Sequence, residues 1–168
     1  MSNNDFNTLP SCGDFDFRIA RDGTWFYRGS PIGRKPLVRL FSTVLRREDD
    51  GSYWLVTPVE RGRITVDDAP FVAVEMNVTG SGRDQKLSFR TNVDDWVVAD
   101  DQHPISLRID ADGAPSPYIR VRGALDALIA RPVFYDLVDL AETREAGESA
   151  ELGIWSAGNY FALGAVPA

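Results

Sequence analysis

The chain holds one histidine, His103, and one cysteine, Cys12. Any Ser-His-Asp or Cys-His relay must therefore run through His103. It sits in "DDQHPI", between an acid pair and a proline, and has two readings. It is a general base working with Asp95 or Asp101, or a turn residue hydrogen-bonded to Asp100 or Asp101. No Gly-x-Ser-x-Gly elbow supplies a nucleophile. Cys12, in "PSCGD", has Asp14 and Asp16 nearby, and negative neighbours disfavour a reactive thiolate. Four aspartate pairs, Asp49-Asp50, Asp67-Asp68, Asp94-Asp95 and Asp100-Asp101, have the oxygens for a hard cation or for acid–base work. Each falls at a predicted loop and none fits an EF-hand spacing, so turn chemistry and solvation account for them. With one His and one Cys, a structural zinc site is not expected. "GSGRDQ" lacks the last glycine of a dinucleotide loop and joins two strands, and no GxxxxGK[ST] exists. The expectation is no catalytic residue, no metal and no cofactor.

A second set of residues suits binding rather than catalysis. In "KLSFRTN", Arg90 and Asn92 share a strand face opposite Phe89. In "PYIRVRG", Tyr118, Arg120 and Arg122 alternate against Ile119 and Val121. A face carrying Arg, Asn and Tyr holds a small anion or a base by forked hydrogen bonds and stacking, or is a solvated sheet face. Arg131 and Tyr135 open the helix that follows and reach toward the same cleft; a helix N-terminus favours anions. The candidate ligand-binding residues are Arg90, Asn92, Tyr118, Arg122, Arg131 and Tyr135.

The bulk properties narrow the partners. Net charge is −7, which opposes general binding to a phosphate backbone. Yet 16 of the 18 basic residues are Arg, the better side chain for phosphate and carboxylate oxygens. A hydrophobic share of 43% and a charged share of 26% describe an ordinary globular chain. No run approaches the roughly 18 apolar residues of a membrane span. The start, "MSNNDFNTLP", does not read as a secretory signal, and a lone cysteine suits a reducing, cytoplasmic setting.

The elements that must position these residues follow from period. Residues 1–14 read as polar and loose. Phe15, Phe17 and Ile19 alternate in a strand that turns at Asp22-Gly23. Leu37, Leu40, Phe41, Val44 and Leu45 recur at helical spacing after Pro36. "PFVAVEMNVT" reads as a strand with its Val and Met residues inward, and "KLSFRTN" as its hairpin partner with Leu87 and Phe89 inward. "PISLRID" and "PYIRVRG" join at Asp112-Gly113. "ARPVFYDLVDLA" is a second helix with Val133, Phe134, Leu137 and Val138 on one side. "TREAGESAE" reads as a polar loop, and "LGIWSAG" and "YFALGAV" as closing strands.

Two stretches share an order of features. "RIARDG", "RKPLVRLFSTVL" and "YWLVT" run strand, Asp-Gly turn, basic-Pro helix, Trp-bearing strand; so do "RIDADG", "ARPVFYDLVDLA" and "LGIWSA". Pro36 aligns with Pro132, which sets Leu37 against Val133 and Phe41 against Leu137. This implies a duplicated unit, or chance similarity of two hairpin-helix segments. A duplication would leave a cleft between halves, a common place for ligands.

Taken together, "RDGTWFYRGSPIGRKPLVRLFSTVLRRED", "YWLVTPVERGRITVDDAPFVAVEM", "FRTNVDDWVVADDQHPISLRI" and "PYIRVRGALDALIARPVFYDLV" resemble the bacterial uncharacterised family catalogued as domain of unknown function 1285, over about residues 15 to 164. The resemblance implies an α+β fold of two small packed domains with a repeated hairpin-helix-strand motif. It also implies a C-terminal half loosely like a pleckstrin-homology antiparallel barrel. The expected division is 1-58 for the N-terminal domain and 59-168 for the C-terminal one. The expected function is non-enzymatic and regulatory: binding of a small anionic, nucleotide-like molecule at the domain interface, in signal transduction. The alternatives are a protein-protein interaction module and a hydrolase using His103.

Overall fold

A computed structural model describes residues 11–166. Among the described residues the chain is mostly β, with two nine-residue α-helices. It divides into two compact units, one ending at Pro70 and including Gly123–Leu125, the other formed by Phe71–Arg122 and Asp126–Ala168.

The first unit is one six-stranded sheet and a helix. In chain order it contains β1 (Ser11–Ile19), β2 (Trp25–Tyr27), β3 (Ser30–Pro31), α1 (Lys35–Thr43), β4 (Leu45–Arg47), β5 (Tyr53–Val56) and β6 (Arg61–Val66). The sheet order is β3-β2-β1-β6-β5-β4, with β1 and β6 parallel at its centre. The division therefore falls at Pro70, beyond residue 58, because β6 is a central strand of this sheet. The Asp22-Gly23 turn forms as its chemistry requires: Asp22 Oδ1 accepts the Thr24 N–H at 2.9 Å, and Gly23 takes φ 90°. Arg28 and Gly29, at φ 51° and 79°, make the two-residue left-handed turn between β2 and β3.

Two expectations change here. Residues 1–10 of the expected loose N-terminus lie outside the described residues, as does the side chain of Cys12, but Ser11 through Asp14 already belong to β1, which pairs with β6. The helix ends earlier than its apolar period suggests. Ser42 and Thr43 donate their hydroxyls to carbonyls three residues back, at 2.7 and 2.6 Å, which closes the last turn. Leu45 then begins β4 and is fully buried.

The second unit contains β7 (Phe71–Thr79), β8 (Lys86–Thr91), β9 (Trp96–Val98), β10 (Ile105–Ile109), β11 (Pro115–Arg122), β12 (Leu125–Ile129), α2 (Arg131–Asp139), β13 (Glu142–Ala146), β14 (Ser149–Ser156) and β15 (Asn159–Val166). They form a six-stranded sheet, β10-β11-β12-β7-β8-β9, and a three-stranded sheet, β13-β14-β15. β10 also runs beside β15. Reading through that contact gives β12-β11-β10-β15-β14-β13, the neighbour order of β3-β2-β1-β6-β5-β4. The element order matches too: three strands, a helix, three strands. The meander β7-β8-β9 is the second unit's addition.

Two sequence readings in this unit need correction, and one strand goes unassigned in the sequence. Val74 is exposed rather than inward, because a bulge between Ala73 and Glu75 interrupts the strand's pairing at that residue. Phe71, Val72 and Ala73 are all buried before it; Met76 and Val78 turn partly inward after it. "TREAGESAE" is not a loop but β13, a turn at Gly147, and the start of β14. "LDALI" is a strand, β12, paired in parallel with β7 and buried on both faces, so it shows no alternation.

Candidate functional site

The loop from β9 to β10 builds the first candidate. Asp100 Oδ1 accepts the backbone N–H groups of Gln102 at 2.9 Å and His103 at 2.8 Å, and meets His103 Nδ1 at 2.9 Å. Burial opposes ionisation of Asp100, but the His103 ring and these backbone donors outweigh it and hold the carboxyl below its ordinary pKa. An ionised carboxylate only accepts, so Nδ1 carries the shared proton and Nε2 is the ring's remaining polar atom. This is the turn role expected for His103, with Asp100 rather than Asp101 as partner.

His103 and Asp100 line a cavity of about 460 Å3, together with Asp95, Trp96, Val121 and Arg122. Trp96 is 51% exposed on β9, the last strand of its sheet. The Arg122 guanidinium lies 5.6 Å from the Phe71 ring centre. The cavity thus combines a guanidinium, an imidazole, an open indole face and two carboxylates. Among the described residues, no Ser, Thr or Cys lines it.

Of the six residues singled out in the sequence, Arg122 lines this cavity and the other five do not. Arg90 is held by Glu75 at 2.7 Å and Asp94 at 2.9 Å. Asn92 supports a turn: its Oδ1 accepts the Val72 N–H at 3.0 Å, and its own N–H donates to the Val72 carbonyl at 2.8 Å. Tyr118 is 3% exposed, beneath the Arg108 guanidinium at 4.0 Å. Arg131 and Tyr135 are exposed on α2. Tyr118 is not open to a ligand because the face it occupies is closed by a charge cluster. Arg108 and Arg120 both bind Asp126, which is 5% exposed on β12; Arg120 Nε approaches at 2.5 Å. No sequence spacing announces that cluster, since Asp126 lies in a strand that the apolar pattern hides.

The aspartate pairs are accounted for in similar terms. Asp50 accepts from the Ser52 N–H and hydroxyl, Asp67 and Asp68 pair with Arg18 and Arg21, and Asp94 pairs with Arg90.

A second, larger cavity of about 660 Å3 lies wholly in the first unit, between α1 and the β1-β2 hairpin. Phe15, Phe17, Tyr27, Leu37 and Phe41 form much of its wall. The rings pack among themselves: Phe17 meets Phe41 edge-on at 5.1 Å and Tyr27 at 4.9 Å. Trp25, 1% exposed, stacks on Phe41 at 6.3 Å.

Residues 8–69 match the N-terminal domain of DUF1285, described as a domain of unknown function, and residues 70–163 match its C-terminal domain. The chain belongs to the DUF1285 family. Its fold is shared with the crystal structure of a DUF1285 family protein from Silicibacter pomeroyi DSS-3, at 51% identity over 95% of this chain and 85% of that one, with a TM-score of 0.86. A DUF1285 family protein from Shewanella baltica OS155 is more distant, at 26% identity and a TM-score of 0.57 over 74% of this chain and 91% of that one. No curated protein matches. The boundary between the two family domains coincides with the division of the DUF1285 fold at Pro70. Among the described residues, no helix is long and apolar enough to cross a membrane.

Proposed function

We propose that this DUF1285 protein is a non-enzymatic, cytoplasmic regulatory protein that binds a small anionic, nucleotide-like ligand and acts in signal transduction. Its C-terminal unit then works as a loosely pleckstrin-homology-like barrel that carries the site. The observation behind this reading is that Arg122, the His103–Asp100 pair and the exposed face of Trp96 line one cavity. Arg122 and His103 meet anionic oxygens, Trp96 offers a stacking surface, and Asp95 and Asp100 accept from ligand N–H or O–H groups. The carboxylates make a bare anion a poor ligand. A base or sugar with donors is required beside the charge.

Thermal unfolding against a nucleotide panel tests this. Ligand at about a hundredfold over Kd stabilises the folded state by about 2.7 kcal/mol, a rise of several degrees. The rise is lost in Arg122→Ala and absent with inorganic phosphate. No shift with any nucleotide at millimolar concentration overturns the reading. A discrete protein partner with no small-molecule response would favour an interaction module, for which Trp96 and Val98 are exposed on edge strand β9. Turnover that disappears in His103→Ala would favour a hydrolase, with His103 as base and water as nucleophile.

A further inference from the structure

The cavity of the first unit has an internal control in the second. Leu37 and Phe41 of α1 align with Val133 and Leu137 of α2. In α2 those positions are core, 5% and 0% exposed. In α1 they are only half-buried and line a hollow of about 660 Å3. One repeat thus keeps the apolar helix face and fills the space beneath it, while the other keeps the face and leaves the space. The volume falls within the usual range of small-molecule sites, and the aromatic wall is largely preformed by ring–ring packing.

The rim decides what enters. Asp14, Asp16 and Glu60 line the cavity, and Arg28 is its one cation among the described residues; Asp14 and Asp16 also border a neighbouring hollow that Arg18 and Arg63 line. That arginine already lays its guanidinium over the Tyr27 ring, 5.2 Å from the centroid, so this wall accepts a cation on an aromatic face. Carboxylates beside exposed rings attract ammonium groups and repel anions. We infer that the hollow between α1 and the β1-β2 hairpin is a second ligand site, separate from the His103–Arg122 cavity, for a small organic cation with an apolar body. Its class is an arylalkyl amine or a quaternary ammonium compound.

Three probes with one body and different heads test the assignment: 4-phenylbutylamine, 4-phenylbutanol and 4-phenylbutyrate, titrated into the full chain by calorimetry. The ammonium is expected to bind tightest and the carboxylate weakest. Asp16→Asn, on an exposed side chain, weakens the ammonium roughly 3- to 5-fold and leaves the alcohol unchanged. Leu37→Trp fills the hollow and removes binding of all three. Trp25 stacks on Phe41, so ligand entry changes its fluorescence, and Trp25→Phe loses that signal while retaining the calorimetric one. Arg122→Ala leaves every one of these results unchanged, which separates this site from the proposed nucleotide site. The inference is overturned if the ammonium does not saturate at millimolar concentration. It is equally overturned if phenylbutyrate binds as tightly as the ammonium, or if Asp16→Asn has no effect on the ammonium.

Discussion

Helices α1 and α2 begin alike, on a basic residue followed by proline, and differ in what they cover. In α2, Val133 and Leu137 are buried and the helix packs on β7 and β14; the Ala130 N–H before it donates to the Ala73 carbonyl of β7 at 3.0 Å. In α1, Ser42 is the buried residue, while Leu40 is 61% exposed. The β7-β8-β9 meander explains much of this. It gives the second helix a surface that the first repeat does not contain, and it pairs with β12, whereas the corresponding β3 is two residues long. The scaffold's neighbour order has been kept in both units, and the space under the helix has not. A repeated topology therefore does not imply a repeated core.

The largest expected effect tests that contrast directly. Leu137→Ala should cost about 2–5 kcal/mol, the range for deleting a fully buried leucine. Leu37→Ala should cost less than about 1 kcal/mol, because its side chain already faces open volume. Denaturant unfolding of both variants gives the difference. Equal costs would mean that α1 is packed as tightly as α2.

Much of this scaffold is legible in the sequence, and the failures have causes. Both helices, the two Asp-Gly turns and the inward Leu87 and Phe89 follow from period and turn chemistry alone. Alternation misplaces Val74 because a bulge has no signature in a run of β-branched residues. It misses β12 because burial on both faces erases the period. The candidate site is less legible still. Arg90, Asn92 and Tyr118 have suitable chemistry, but their partners, Glu75, Val72 and Arg108, come from neighbouring strands. Strand pairing decides whether an arginine is engaged, and sequence spacing does not reveal it. Asp100 is local to His103, three residues away, and that pair is within reach of the sequence.

The next contrast is electrostatic. Asp126 is nearly buried between Arg108 and Arg120, which are themselves partly exposed. Asp126→Asn leaves both guanidinium groups without this counter-charge and should destabilise the second unit by about 1–3 kcal/mol. No ligand binding in the first unit should change. A smaller pair concerns two glycines, each roofed by a ring. A Cβ on Gly62 would run into the Phe15 ring, and one on Gly153 into the Tyr160 ring. Overpacking of this kind costs about 1–3 kcal/mol. Gly62→Ala should fall at the low end, since Phe15 borders a cavity into which it can move, and Gly153→Ala at the high end. The reverse order, read from the two unfolding midpoints, would break the distinction between a hollow unit and a filled one.

The smallest effects are those of pH, and they should divide between the units. In the first unit, hydrogen bonds from Thr24, Ser52 and Arg18 hold Asp22, Asp50 and Asp67 below the ordinary carboxylate pKa. A carboxyl lowered in the folded state contributes stability that is complete above its unfolded pKa and is lost as pH falls through the folded value. Asp100 is the corresponding group among the described residues of the second unit. Tyr160 has the opposite sign. Burial first, then the Glu151 charge, raises its pKa above the ordinary tyrosine value, against the pull of Arg144. Its contribution is complete below the unfolded value and is lost as pH rises through the folded one. Acid should therefore loosen the first unit before the second, and alkali the second before the first. Amide spectra followed through both titrations report each unit separately, and simultaneous loss of both at the acid end would show that the units do not unfold independently.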